Sequence, residues 1–166
     1  MDTAGLKALQ APLKERYRAE PAAARVTLRA SARAGAGISC RLETGKALVE
    51  AGLHPATGGD GAQACSGDML LESLAACAGV TLRAVATGIG VELRDATVIA
   101  EGDLDFRGTL GVDKAAPVGF SALRLRFELD TDADATQRET LIRLTERYCV
   151  VLQTLRSAPP VGVTVA

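Results

Sequence analysis

The architecture of this chain is set by one segment, residues 66–87, which reads SGDMLLESLAACAGVTLRAVAT. Ser66 can cap a helix that begins near Gly67, and Gly88 can end it after Thr87. The helix between them is apolar on nearly every side, and such a helix is normally buried all round. Its length would be about 30 Å, which is the depth of a whole small domain. A chain of 166 residues is too small to enclose it alone, so we expect a homodimer.

Segments on both sides of this helix have the alternation or the composition of strands. The clearest is 123–130, in which leucine and phenylalanine alternate with arginine and acidic side chains. The predicted strands are 26–31, 38–42, 123–130 and 161–165, with a turn at 35–37. The region 91–110 is predicted to contain two or three short strands with turns at Gly102 and Gly108.

Three further helices are predicted from apolar residues at helical spacing. The first covers residues 6–17 and ends before Pro21. The second starts at a capping-box pattern, Thr136 with Glu139, and runs to Cys149, and a third short helix follows it.

The resulting order, β-β-α-β-β-β-α-α-β, indicates an α+β fold with antiparallel sheets rather than a doubly wound sheet. The length suits one compact domain. We therefore divide the chain into an N-terminal helical extension, residues 1–24, and one domain, residues 25–166.

Charge and hydropathy exclude several classes of function. The net charge is −1 and the arginines are scattered, so no basic patch for nucleic acid is expected. No uninterrupted apolar stretch approaches the roughly 20 residues that span a bilayer. The first residues, Met1 to Gly5, lack a basic segment followed by an apolar run, so we predict a cytoplasmic protein without a signal peptide.

The four cysteines are Cys40, Cys65, Cys77 and Cys149. In the reducing cytoplasm such residues are more often free, metal-bound or catalytic than paired in structural disulfides. A zinc site usually contains a closely spaced ligand pair, and no C-x-x-C occurs here. We predict no metal, with a site made of Cys65, Cys77 and the single histidine, His54, as an alternative.

Two of the cysteines have surroundings that fit chemistry as well as packing. Cys77 lies in the middle of the apolar helix, on a face that also carries Ser73 and Thr81. Cys149 lies where a charged helical segment changes to an apolar one. A helix beginning there would lower its thiol pKa from about 8.5 and favour the thiolate. Either residue could instead be a small apolar core residue.

The segments around these cysteines resemble the two cysteine motifs of the OsmC/Ohr family. Order, spacing and predicted elements agree from about Arg25 to Ala166, and the two motifs together are more specific than either alone. The segments that carry the resemblance are Asp68–Cys77 with Val80-Thr81-Leu82, Glu146–Val151 with Thr154-Leu155, and the strand and Arg-Gly turn at Asp103–Gly108.

The resemblance implies an OsmC-like fold, in which antiparallel sheets wrap two central helices in an intertwined homodimer with active sites at the interface. It also implies a thiol peroxidase of the oxidative stress response that needs no cofactor. Cys77 would be the peroxidatic thiolate and Cys149 the resolving thiol, and an external dithiol would reduce the disulfide between them. The apolar surroundings favour organic hydroperoxides as substrates.

In family members, an arginine from an early strand or turn also holds the thiolate, and a carboxylate holds that arginine. Arg33 is our candidate, with Arg41 as the alternative. The family's Pro-Glu pair is replaced here by Ser66-Gly67, with Asp68 and Glu72 as the nearest carboxylates. This departure motivates a second hypothesis, a non-enzymatic dimer of the same fold that binds a small apolar ligand.

Overall fold

The computed structural model describes residues 3–34, 40–42, 51–62 and 64–165. Two short 3₁₀ turns accompany the regular elements, at Pro21–Ala24 and Pro55–Thr57. The helices are α1 (Thr3–Ala19), α2 (Ser66–Ile89), α3 (Phe106–Thr109), α4 (Ala135–Tyr148) and α5 (Val150–Arg156). The strands are β1 (Arg25–Ala34), β2 (Cys40–Leu42), β3 (Ala51–Gly52), β4 (Ala64–Cys65), β5 (Asp95–Asp105) and β6 (Ala122–Asp130).

Four strands form one antiparallel sheet in the order β2-β1-β5-β6, and the short strands β3 and β4 pair in parallel. Helix α2 packs across one face of this sheet and contacts β1, β5 and α4. The core lies between these layers, where Val98 and Ala100 of β5 and Leu71 and Leu82 of α2 have no exposed surface. The predicted α+β fold is confirmed.

One chain covers only part of α2. The buried side consists of Leu71, Leu74, Ala75, Ala78, Gly79, Leu82 and Ala86. On the other side the side chain of Val80 is 37% exposed. By length and hydropathy α2 could cross a bilayer, a property that core helices of soluble domains share. Here one face of the helix is occupied by the sheet.

The ends of α2 differ from those predicted. The residue in the N-cap position is Cys65 rather than Ser66, and its side chain makes no capping hydrogen bond. The helix continues past Gly88 and ends at Gly90, whose φ of +70° is the left-handed conformation that glycine adopts without strain. Gly88 is therefore an ordinary helical residue.

The region 91–110, predicted to contain two or three short strands, is one strand followed by a helical turn. Gly102 does not make a turn: it lies inside β5, where a Cβ would stand 2.5 Å from the ring of Phe120. The glycine is needed for this close approach rather than for a reversal of the chain. Gly108 likewise lies inside α3, and a Cβ there would be 2.4 Å from the carbonyl oxygen of Pro117.

The C-terminal helices were predicted in the right places, but the capping box was not. Asp134 is the N-cap of α4 and exchanges hydrogen bonds with Gln137, so Thr136 and Glu139 lie one turn inside the true motif. The predicted strand 161–165 is absent, and its valines are 82–97% exposed.

The N-terminal helix is confirmed and runs unbroken through Pro12. It is joined to the rest of the chain through Tyr17, which is only 2% exposed and belongs to the hydrophobic core. The division of the chain after residue 24 stays a prediction. The predicted turn at 35–37 lies outside the described residues, whereas β2 confirms the strand over 40–42.

Candidate functional site

Cys77 is positioned by the middle of α2. Its side chain is partly buried and packs against the hydrophobic core. The residues on the same helical face that are exposed in this chain are Ser73, Val80, Ala84 and Thr87. The thiol therefore lies at the border between the core and the uncovered side of the helix.

Cys149 is the single residue between α4 and α5, and it has no exposed surface. Its backbone is extended, with φ −71° and ψ 105°, so it ends one helix and caps the next. Its N–H donates to the carbonyl of Thr145 at 2.9 Å, and its carbonyl accepts from the N–H of Gln153 at 2.9 Å. These bonds fix the thiol at the junction that packs against α2.

The two thiols are brought together. The Cys77 thiol lies near enough to that of Cys149 to influence its pKa, and Cys65, Cys77 and Cys149 are all free thiols. Burial raises the pKa of Cys149 to about 11, and the neighbouring Cys77 acts in the same direction. Hydrogen bonds from the backbone N–H groups of Leu152 and Val151 oppose this rise.

The expected lowering of the Cys149 pKa is therefore wrong in its direction. A helix does begin after Cys149, and its N–H groups act as predicted, but α5 has only seven residues and the thiol is fully buried. Desolvation of the charged sulfur outweighs the helix N-terminus.

An apolar pocket of about 260 Å³ lies between α2, β6 and the junction of α4 with α5. Leu74, one turn before Cys77, lines it, as does Leu152, whose N–H reaches Cys149. The remaining lining residues are Leu123, Leu125, Phe127 and Leu155, with Arg124, Glu146 and Arg156 as charged residues among them. The pocket offers an apolar surface whose lining includes chain neighbours of both cysteines, whereas the cysteines themselves do not line it.

The structure places Arg33 on β1, where its guanidinium pairs with Asp95 of β5. The Nε–Oδ2 distance is 3.0 Å, and the arginine side chain is 64% exposed. This ion pair lowers the pKa of Asp95. A role of Arg33 at the thiolate stays a prediction, and the side chain of the alternative, Arg41, lies outside the described residues.

The two candidate carboxylates stand on the first turns of α2, on the side away from Cys77. Burial raises the pKa of Asp68, and His54 lowers it. Burial also raises the pKa of Glu72, with the charge of Asp68 adding to the rise. In the single chain these groups interact with His54 and with each other.

A larger, polar cleft of about 590 Å³ lies where β1 begins and β5 ends. Its charges are paired: the Arg107 guanidinium donates to Asp105 and also reaches Asp113 at 3.3 Å. Arg107 keeps the pKa of Asp105 below its usual range. The turn at Arg107-Gly108 is thus held at the end of β5 by the ion pairs of Arg107.

Among the residues that the structure describes, no group of three or more His, Cys, Asp or Glu side chains has a geometry suited to a metal ion. The ring of His54 stacks on Phe106, and its Nδ1 accepts a hydrogen bond from the N–H of Ala56. This histidine therefore has a local role that the sequence did not reveal. The one available signal was its position before Pro55, since a residue before a proline is often a helix cap.

The fold and the site define an α+β protein with two adjoining free cysteines in its core. The chain belongs to the OsmC-like protein family, whose family model matches residues 59–164. A search of curated proteins found no match.

Among solved structures, the chain is similar to an OsmC-like hydroperoxide resistance protein from Jannaschia sp. CCS1. The TM-score is 0.58 and the sequence identity 19%, and the match covers 83% of this chain and 91% of that one. At this identity the similarity establishes the fold.

Proposed function

We propose that this protein reduces organic hydroperoxides, with Cys77 as the peroxidatic thiol and Cys149 as the resolving thiol. The observation that carries the proposal is the proximity of two free thiols, with Cys77 near enough to influence the pKa of Cys149, in a chain of the OsmC-like family. The structurally similar Jannaschia protein is an OsmC-like hydroperoxide resistance protein, and this supports the same chemistry.

The proposed reaction has two steps at the thiols, and an external dithiol then reduces the product. The Cys77 thiolate attacks the terminal oxygen of the hydroperoxide and breaks the O–O bond, which yields an alcohol and a sulfenic acid on Cys77. The Cys149 thiol then displaces water from that sulfenic acid and forms a disulfide. An external dithiol reduces the disulfide by exchange and is itself oxidised. These steps need the free thiols of a cytoplasmic location, which we also propose.

Accessibility and acidity support this division of roles between the two thiols. Cys77 lies at the border of the core, whereas Cys149 has no exposed surface and its pKa is raised to about 11. A thiol with such a pKa is protonated at neutral pH and is a poor first nucleophile toward peroxide. Cys149 is therefore suited to the second step, in which its partner sulfur is already next to it.

The apolar pocket lined by Leu74 and Leu152, which are chain neighbours of the two cysteines, suits a peroxide with an apolar body. Its leucines and Phe127 would remove a hydrocarbon group from water, an advantage that hydrogen peroxide cannot gain. We propose that Arg33 supports the thiolate after leaving Asp95, because an ion pair this exposed costs little to break.

Oxidation with one equivalent of an organic hydroperoxide should join Cys77 to Cys149. Peptide mapping by mass spectrometry will show the linked peptides in the oxidised protein and their loss after treatment with a dithiol. Cys40 and Cys65 should stay free. If these conditions produce no Cys77–Cys149 link and no sulfenate on Cys77, the peroxidase mechanism is excluded.

A ligand-binding dimer is the second candidate function. It is favoured by the apolar pocket and by the raised pKa of Cys149, which suits a packing residue as well as a resolving thiol. The same oxidation experiment separates the two functions, because a ligand-binding protein would leave both thiols unlinked.

We further propose a homodimer in which the second chain covers the exposed face of α2. Val80 and Ala84 lie on this face beside Cys77, and apolar helix surface of this kind is normally buried. A partner there would also complete the surroundings of the thiol.

Sedimentation should give the mass of two chains. Val80→Arg places a charge on the covered face and should shift the protein toward single chains, because a buried unpaired charge is costly. The control is Val118→Arg, at a position that is 66% exposed in the loop before β6, and it should leave the mass unchanged. Wild type that sediments as one chain would rule out the dimer.

A further inference from the structure

The loop after β3 is held together by its histidine. His54 is the N-cap of the 3₁₀ turn Pro55–Thr57, and its Nδ1 accepts a hydrogen bond from the Ala56 N–H at 3.0 Å. Its carbonyl accepts from the N–H groups of Thr57 and Gly59, at 2.8 and 3.1 Å. Since Nδ1 is an acceptor here, the imidazole must be neutral, with its proton on Nε2.

Helix α1 rests on this same loop. The Tyr17 hydroxyl donates to the carbonyl of Ala56 at 2.7 Å, and the Gln10 side-chain amide donates to the carbonyl of Thr57 at 3.2 Å. The contact is close, because a Cβ at Gly58 would stand 2.9 Å from the side chain of Leu9. The carbonyl groups of Ala56 and Thr57 therefore bond to α1 while the loop has the conformation that His54 caps.

We propose that His54 is a pH-operated latch, which holds α1 on the loop Pro55–Gly59 while its imidazole is neutral and releases the helix when it is protonated. A proton on Nδ1 would convert the acceptor into a donor that faces the N–H of Ala56. The cap would be lost, and the carbonyls of Ala56 and Thr57 would no longer be aligned with Tyr17 and Gln10.

The surroundings of His54 set the direction of the switch. Burial lowers its pKa from the ordinary value of 6.5, and the charge of Asp68 on α2 opposes this shift. From the other elements in contact, α3 presents the neutral ring of Phe106, and α1 presents the uncharged Tyr17 and Gln10. A histidine whose pKa is lowered in the docked state stabilises docking above about pH 6.5, and this stabilisation falls as the pH drops through the lowered pKa.

The composition makes the test unusually direct, because the chain has one histidine, two tyrosines and no tryptophan. Tyr148 is 58% exposed, so in Tyr148→Phe the only tyrosine is Tyr17. The imidazole signal of His54 in NMR and the near-ultraviolet circular dichroism of Tyr17 should be followed from pH 8 to about pH 5. We expect the Tyr17 signal to be lost with the midpoint of His54 protonation, while the far-ultraviolet signal of the sheet is kept. A Tyr17 signal that is constant while His54 titrates would overturn the proposal.

Two further variants in the same background separate the latch from other acid effects. His54→Asn keeps a side-chain acceptor at the cap without titrating, so Tyr17 should stay docked to the acid end of the scan. Loss of docking with the wild-type midpoint would show that another group is responsible. Asp68→Asn removes the opposing charge, so the His54 and Tyr17 midpoints should move together to lower pH. This variant keeps the test decisive if His54→Asn does not fold, because movement of the His54 midpoint alone would also overturn the latch.

Discussion

Cys77→Ser will reduce the turnover of an organic hydroperoxide by at least about a thousandfold, because the substitution removes the nucleophile itself. A serine hydroxyl keeps nearly the size and the position of the thiol, but it stays protonated near neutral pH and cannot form a sulfenic acid. The measurement is steady-state peroxide consumption with a dithiol in excess. The apolar pocket stays intact in this variant, so binding without chemistry should remain detectable.

Two matched controls assign the loss to chemistry. Cys149→Ser should still consume one equivalent of peroxide and accumulate a sulfenate on Cys77, but it should form no internal disulfide. Cys65→Ser should keep wild-type turnover, since the Cys65 side chain makes no capping bond at the start of α2. Undiminished turnover in Cys77→Ser would place the chemistry at another residue.

The elements with strong periodicity could be predicted from the sequence. Helix α2 is apolar over six turns, and β6 alternates along its whole length, so local pattern and tertiary burial agree there. The errors arose where a contact distant in sequence fixes the local structure. Gly102 suggests a turn in isolation, but its role is to admit the ring of Phe120 across the sheet.

The candidate site, like the fold, could be predicted only in part. The pairing of Cys77 with Cys149 could be predicted from the motifs, because spacing and neighbouring residues are properties of the chain itself, and it stays a prediction. The sequence could not show that Cys149 is fully buried, and for that reason the sign of its pKa shift was missed. The pairing of Arg33 with Asp95 and the cap made by His54 depend on the register of β1 with β5 and on the loop conformation, which no local pattern specifies.

Leu82→Ala will lower the free energy of unfolding by about 2–5 kcal/mol, which is the usual cost of removing a fully buried leucine side chain. Leu82 has no exposed surface and lies in the core between α2 and the sheet. Truncation loses the burial of the side chain and leaves a cavity that the packed sheet cannot fill. Urea unfolding at a fixed protein concentration measures the change, because association of the chains would otherwise contribute to stability.

The matched control is Leu53→Ala, the same chemical change at a side chain that is 45% exposed. It should cost about 1 kcal/mol or less, since much of this leucine already contacts water in the folded chain. The difference between the two variants tests whether α2 forms the centre of a packed core in each chain. Equal losses at both positions would mean that the packing of α2 against its own sheet contributes little to stability.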